Sequence, residues 1–215
     1  MRRTIMAIPG DTAATEPTAA GRAGKLLYFC YGADMLESRI RSRCASPKVV
    51  AVARLADHRL GFYGYSPIWD GGLETVEPAP GHEVWGVVYA LGLADADSLD
   101  TWQGVRLNGT GSYFHYPAEV TDDQGTVNEV LVYKKDLLGD PTLPSRSYLD
   151  VIVAAARQRG LPPQAIADLL ARPARPADYP VPRYGVARRE GVLPGETCAD
   201  CGSLAPSRTT APARA

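Results

Sequence analysis

Apolar and polar residues fall into short runs along the middle of the chain, and the period of those runs switches between strand-like and helix-like. Residues 25–31 (KLLYFCY) form an aromatic-leaning apolar run that stops at Gly32, which predicts a buried first strand. Residues 35–43 (MLESRIRSR) space Met35 and Ile40 among polar side chains as a short helix does. Strands are predicted over 48–55, over 58–65 and, after the Gly71-Gly72 punctuation, over 73–77; the strongest strand pattern is 83–91 (EVWGVVYAL). Residues 94–102 read as a helix, with Asp95 and Asp97 in the first turn and Leu99 and Trp102 on one face. Residues 113–120 and 127–133 read as a hairpin joined at Asp122-Asp123-Gln124-Gly125. A helix is predicted over 145–159, stopped by Gly160 and Leu161-Pro162-Pro163, and one more short helix over 163–170.

Runs of strands with inserted helices, and no regular strand-helix-strand repeat, predict an α+β fold built on a small closed or half-closed mixed β-barrel. The domain is expected at 25–171. Residues 1–24, rich in Ala, Thr, Gly and Pro, read as a disordered leader, and 172–215 as a Pro/Arg/Ala-rich C-terminal extension.

Composition narrows the functional classes. The 215 residues are 45% hydrophobic, enough for one core, and 23 basic against 24 acidic residues leave no tract suited to nucleic acid or an anionic membrane. No run approaches the roughly 20 apolar residues needed to span a bilayer, and the start lacks a signal-peptide core, so a soluble cytoplasmic setting is expected. Four cysteines are too few for a disulfide scaffold. Cys30 reads as core, and the Cys198-x-x-Cys201 pair lacks two further ligands for zinc. His58, His82 and His115 have no metal-ligand spacing. No metal or other cofactor is expected; the partner expected is a small-molecule substrate, and the sequence does not give the oligomeric state.

The chemistry points to the end of the first strand. Tyr31-Gly32-Ala33-Asp34-Met35 is a strand feeding a helix, where a glycine lets backbone amides approach an anion and the helix start adds a positive end. The same residues also read as a plain turn in which Asp34 caps the helix. Elbow, P-loop and dinucleotide-binding motifs are lacking.

Residues 28–35 (YFCYGADM) are similar to the YxAYGSNM opening of the γ-glutamylcyclotransferase-like family, which includes AIG2-like proteins and butirosin γ-glutamyl-amine cyclotransferase-like proteins. Further landmarks follow in family order: Ala53-Arg54-Leu55 with 58–62 (HRLGF); Gly71-Gly72 with Pro78 and Gly81; 84–89 (VWGVVY); 99–105 (LDTWQGV); and 144–148 (PSRSY). The resemblance covers most of 26–170. It implies the family's barrel and a reaction in which the substrate's own α-amine attacks its γ-carbonyl, giving 5-oxoproline and a freed amine. It also implies a substrate site at Tyr31, Gly32, Ala33, Asp34 and Met35, with Tyr113 and Tyr148 as phenols lining the pocket or as packed aromatics.

Departures from the family pattern bear on the chemistry. Gln103 stands where the family has the glutamate that moves the proton, and an amide orients but does not accept and return one. Ala33 removes a hydroxyl donor. Asp34 puts a carboxylate beside the loop amides, where it either repels a γ-glutamyl carboxylate, serves as a relocated base, or is structural. Glu74 stands where the family has alanine, and Glu77 is expected on the same strand face; either faces the pocket as a replacement carboxylate or is a solvated strand residue. The sequence thus predicts a diverged enzyme acting on a γ-glutamyl or amine-bearing metabolite, with specialised metabolism as the setting implied by analogy, or alternatively an inactive small-molecule-binding or regulatory domain. Gln103, Asp34 and Glu74 are the candidate catalytic residues.

Overall fold

A computed structural model describes residues 25–106, 108, 111–136 and 139–183. The leader at 1–24 and Cys198-x-x-Cys201 lie outside the described residues. Five strands close a barrel: β1 (Leu26–Cys30), β2 (Lys48–Ser66), β3 (Gly71–Leu91), β4 (Phe114–Asp122) and β5 (Val127–Lys134), in the order β1-β3-β2-β4-β5. Neighbours are antiparallel except at the seam, where β1 runs parallel to β5 with Tyr28 opposite Leu131. Closure removes the open edges that a five-stranded sheet would otherwise present.

Among the described residues four α-helices accompany the barrel: α1 (Glu37–Arg43), α2 (Leu93–Gln103), α3 (Arg146–Gln158) and α4 (Pro163–Leu170). The core joins barrel and helices, with Phe29, Val76, Val87, Val88 and Val132 from strands and Leu149, Ile152, Ala155 and Ala156 from α3. Ser145 caps α3, its Oγ accepting from the Tyr148 amide at 3.2 Å. Gly160 ends the same region at φ 71°, as its position past the helix predicts. No helix among the described residues is long and apolar enough to cross a membrane.

Four of the predicted strands are halves of two. Residues 48–55 and 58–65 join as β2, and 73–77 and 83–91 as β3, because both strands continue through an irregularity between Ala56 and His58. There Asp57 takes φ 55°, and its Oδ1 accepts the Gly81 amide at 2.9 Å, so the break in pattern is a bend within a ladder and not a loop. The predicted 35–43 helix is also divided. Ala33–Met35 is a 3-10 turn, Leu36 is extended, and α1 starts only at Glu37. The loop after β1 is therefore not at an α-helix start, and Asp34 caps nothing.

Gly71-Gly72 does more than punctuate. A Cβ on Gly72 would overlap the Thr142 carbonyl, and one on Gly71 would come 2.6 Å from the Ser145 amide nitrogen. The bare backbone lets 142–145 cross β3 closely, with the Gly72 amide donating to Leu143 O at 3.0 Å. That crossing sets where α3 begins. Past α4 the chain stays on the domain through residue 183, so the described part of the C-terminal extension is packed and hydrogen-bonded.

Candidate functional site

Beyond the end of β1 lies a cavity of about 90 Å³, lined by Ala33 and Asp34 from the 3-10 turn, Glu74 from β3, Gln103 from the last residue of α2, Tyr113, and Tyr148 from the first turn of α3. Arg39, Arg43, Trp69 and Trp102 also line it, as do Ser66, Ile68 and Leu73. Residues far apart in the sequence thus meet at one end of the barrel. Gln103 is placed by the left-handed Gly104, φ 66°, which stops α2 and sends the chain back toward the barrel.

Asp34 is buried, and both of its carboxylate oxygens are engaged. Arg39 Nε donates to Oδ1 at 3.3 Å, Arg43 donates to Oδ2, and Gln103 Nε2 donates to Oδ2 at 3.1 Å. The expectation of a bare negative charge repelling an anionic substrate fails, because two guanidinium groups face one carboxylate. The alternative of Asp34 as a relocated base loses support for the same reason: its oxygens are committed to two cations and an amide. Gln103 has become part of this polar cluster.

Glu74 occupies the opposite wall. Its Oε2 accepts from the Tyr148 hydroxyl, and a Cβ on Gly32 would overlap its Oε1, so the carboxylate lies directly against the loop that follows β1. Burial pushes its pKa up; donation from Tyr148 and from its own backbone amide pulls back, Asp34 adds to the rise and Arg39 opposes it. Tyr113 donates to the Glu74 carbonyl oxygen at 2.7 Å, tying the second phenol to the same residue. Burial first, then the nearby Glu74 charge, raise both phenols well above their usual range, so each stays a protonated donor.

The other predicted residues are dispersed. Gly32 provides the clearance for Glu74, while Ala33 lines the cavity. Met35 turns into the core and is fully buried, its carbonyl accepting from Tyr89 Oη at 3.0 Å and Arg159 Nε at 2.7 Å. Tyr31 donates to Tyr133 O at 2.5 Å and lines a separate cavity. Glu77 does not share a face with Glu74: three residues apart in an unbroken stretch of strand they project oppositely, and Glu77 pairs with Arg59 at 3.3 Å. Cys30 is in the core, its thiol pushed up to about 12, chiefly by burial.

Sequence reasoning missed Arg39, Arg43 and Trp69. Arg39 and Arg43 are one turn apart on α1, so both reach Asp34; a carboxylate embedded in an apolar loop demands such counter-charge, and that demand was the available signal. The Arg39 guanidinium also stacks over Trp69 at 4.9 Å, and Trp69 packs on Tyr148 with centroids 4.4 Å apart. Among the described residues no group of three or more His, Cys, Asp or Glu is gathered as a metal would need.

A mixed five-stranded barrel with a small polar pocket at the exit of its first strand defines the class, and comparison with known proteins agrees. The AIG2-like family model matches residues 83–169. The bovine (Bos taurus) γ-glutamylcyclotransferase is 36% identical over 141 residues, 63% of this chain and 72% of the bovine one. The human (Homo sapiens) γ-glutamylcyclotransferase is 34% identical over 143 residues, 63% of this chain and 72% of the human one. A solved γ-glutamyl cyclotransferase structure superposes with a TM-score of 0.68 at 32% identity, covering 73% of this chain and 93% of its own. The chain belongs to the γ-glutamylcyclotransferase family.

Proposed function

We propose that this protein is a γ-glutamylcyclotransferase in which Glu74 moves the proton. The observation that carries the reading is the position of the Glu74 carboxylate, inside the cavity, against the loop after β1, and held by Tyr148. The class of reaction is supported by the relatives' activity.

The chemistry requires one group that works in both directions. The α-ammonium of a γ-glutamyl substrate loses a proton to the Glu74 carboxylate, and the freed amine attacks the γ-carbonyl carbon to form the new C–N bond. The tetrahedral intermediate expels the original amine as the old γ-C–N bond breaks; Glu74 returns its proton to that leaving nitrogen and then passes to it the surplus proton of the ring nitrogen, so the amine departs as an ammonium. The products are 5-oxoproline and the amine. A carboxyl raised by burial is better matched to this shuttle than one in water.

Asp34, Arg39, Arg43 and Gln103 form the fixed polar wall opposite, with a net positive balance suited to the carboxylate of a γ-glutamyl group. A 3-10 turn leaves its first amides without internal partners, so the loop around Gly32 and Ala33 adds donors for the same anion. The altered wall favours a diverged substrate over loss of chemistry, and an intermediate of specialised metabolism carrying a γ-glutamyl protecting group fits such divergence.

The test is incubation with a panel of γ-glutamyl amino acids and γ-glutamyl amines, with 5-oxoproline read by mass spectrometry. Release from at least one member is expected. Saturable binding of a panel member with no release would replace this reading by that of a binding domain.

A further inference from the structure

Residues 172–183 pass back across the domain as a strap whose polar contacts fall largely on two segments beside the cavity. The first is the last residue of β2 with the β2–β3 connection, 66–70, of which Ser66, Ile68 and Trp69 line the cavity. Arg175 Nη2 donates to Asp70 Oδ1 and to the Asp70 carbonyl at 2.5 and 2.9 Å, and the Asp178 amide donates to Asp70 Oδ2 at 2.6 Å. Tyr179 Oη donates to Pro67 O at 2.6 Å, and the Arg183 amide to Ile68 O at 2.9 Å. The second segment is the start of α3: the Arg175 amide donates to Pro144 O at 3.1 Å, and its carbonyl accepts from the Arg146 amide at 2.7 Å.

These segments meet at Ser145, whose Oγ donates to Trp69 O at 2.5 Å while accepting from the Tyr148 amide. Trp69 then stacks on Tyr148, and Tyr148 donates to Glu74. Asp70, 1% exposed and at φ 51°, has a conformation that few non-glycine residues hold unaided. The strap's donors hold it, together with the Tyr65 hydroxyl, which donates to Asp70 Oδ1 at 2.8 Å.

We propose that Arg175 is a positioning residue: through Asp70 it fixes the turn bearing Trp69, and through Trp69 it sets the Tyr148–Glu74 pair. Its kinetic consequence rests on the reading of Glu74 as proton carrier; its structural consequence rests on the contacts alone. A group held within hydrogen-bond reach by packing loses rate steeply when its support moves by an ångström.

Two readouts test this in the full chain. Trp69 is made the sole tryptophan by Trp85→Phe and Trp102→Phe, and acrylamide quenching of its emission is measured. Buried Trp69 is expected to resist quenching, Arg175→Met to raise quenching severalfold, and Arg175→Lys to restore most of the protection. With both tryptophans restored, Arg175→Met is expected to lower kcat on the order of ten- to a hundredfold. It is also expected to move the acidic limb of the rate profile to higher pH, since Tyr148 donation is the largest of the influences that pull Glu74 down. Arg54→Met, which removes an exposed pair with Glu83 away from the cavity, is expected to change neither readout. Should Arg175→Met not fold, Tyr179→Phe, which deletes one hydroxyl from the strap, carries the same comparison.

Unchanged quenching in the folded variant overturns the proposal, and so does raised quenching with kcat and the acidic limb unmoved. If no panel member yields 5-oxoproline from the unaltered protein, the reaction assigned to Glu74 fails. The quenching comparison then still decides whether the strap fixes the turn.

Discussion

At the scale of single residues, the cavity separates two carboxylates by their surroundings. Asp34 sits among two guanidinium groups and an amide, whereas the half-buried Glu74 meets a phenol and a glycine. Burial raises Glu74 above its ordinary range, roughly 4.3 for a free glutamate. A base works only when ionised, so activity is expected to be present at neutral pH and to fall as pH drops through that raised value. The kcat–pH profile checks this: the acidic limb should lie above the ordinary glutamate value, and Tyr148→Phe should shift it further up. Gly32→Ala separates geometry from stability. The atoms nearest the added methyl are Oε1, Cδ and Cγ of the flexible Glu74 side chain, not backbone, so unfolding temperature should change little while turnover falls at least tenfold.

Legibility at this scale followed the chemistry of each residue. Glu74 and Gln103 were singled out by their departure from the pattern the sequence resembles, and both line the cavity. The pairing of Glu74 with Glu77 was a misreading of strand period, since a separation of three in a period-two strand gives opposite faces. Arg39 and Arg43 escaped notice because arginines on a short polar helix look solvated until their buried partner is known; at 11% and 12% side-chain exposure they are not.

Elements were readable where one local signal governed them. The helix over 145–159 has its serine cap, apolar stripe and glycine stop in sequence, and α3 with its caps falls there. The long strands β2 and β3 were cut in two because an Asp at positive φ and a turn-forming Gly81 mimic loop chemistry. A neighbouring ladder, not local preference, carries those strands onward. Asp95 shows a similar reach beyond its own element: from the first turn of α2 its carboxylate accepts the Ala45 and Ser46 amides at 2.6 and 3.0 Å. Asp95→Ala leaves both amides short of a partner and is expected to cost about 1–3 kcal/mol by denaturant unfolding.

The strap adds a pH dependence of stability. Asp70 is held below its ordinary value, first by the Asp178 amide and then by Tyr65 and Arg175, against the opposing effect of its burial. A group depressed in the folded state contributes stability that is present above its unfolded value, about 3.9, and is lost as pH falls through the lower folded value. Thermal unfolding followed from neutral pH to about pH 3 should therefore show a steeper acid decline in the native chain than in Asp70→Asn.

For the whole molecule, barrel closure is what brings distant stretches of sequence together. β1 lies between β3 and β5, so the loop leaving β1 emerges beside Glu74 of β3, and α3 packs across it with Tyr148. The barrel class was foreseeable from strands interleaved with helices and from the ordered motifs. The packed path of 172–183 was not, because proline- and arginine-rich composition resembles a free tail while its contacts are backbone carbonyls and one buried aspartate on distant segments.

The most direct test compares 5-oxoproline release by the native chain, Glu74→Gln and Gln103→Glu across a panel of γ-glutamyl amino acids and γ-glutamyl amines, with kcat read on the substrate released fastest. Glu74→Gln is expected to lose about 10² to 10⁴ in kcat, with KM little changed, while the native chain stays active despite Gln103. Native-like turnover by Glu74→Gln, or release by Gln103→Glu alone, would contradict the assignment of proton transfer to Glu74.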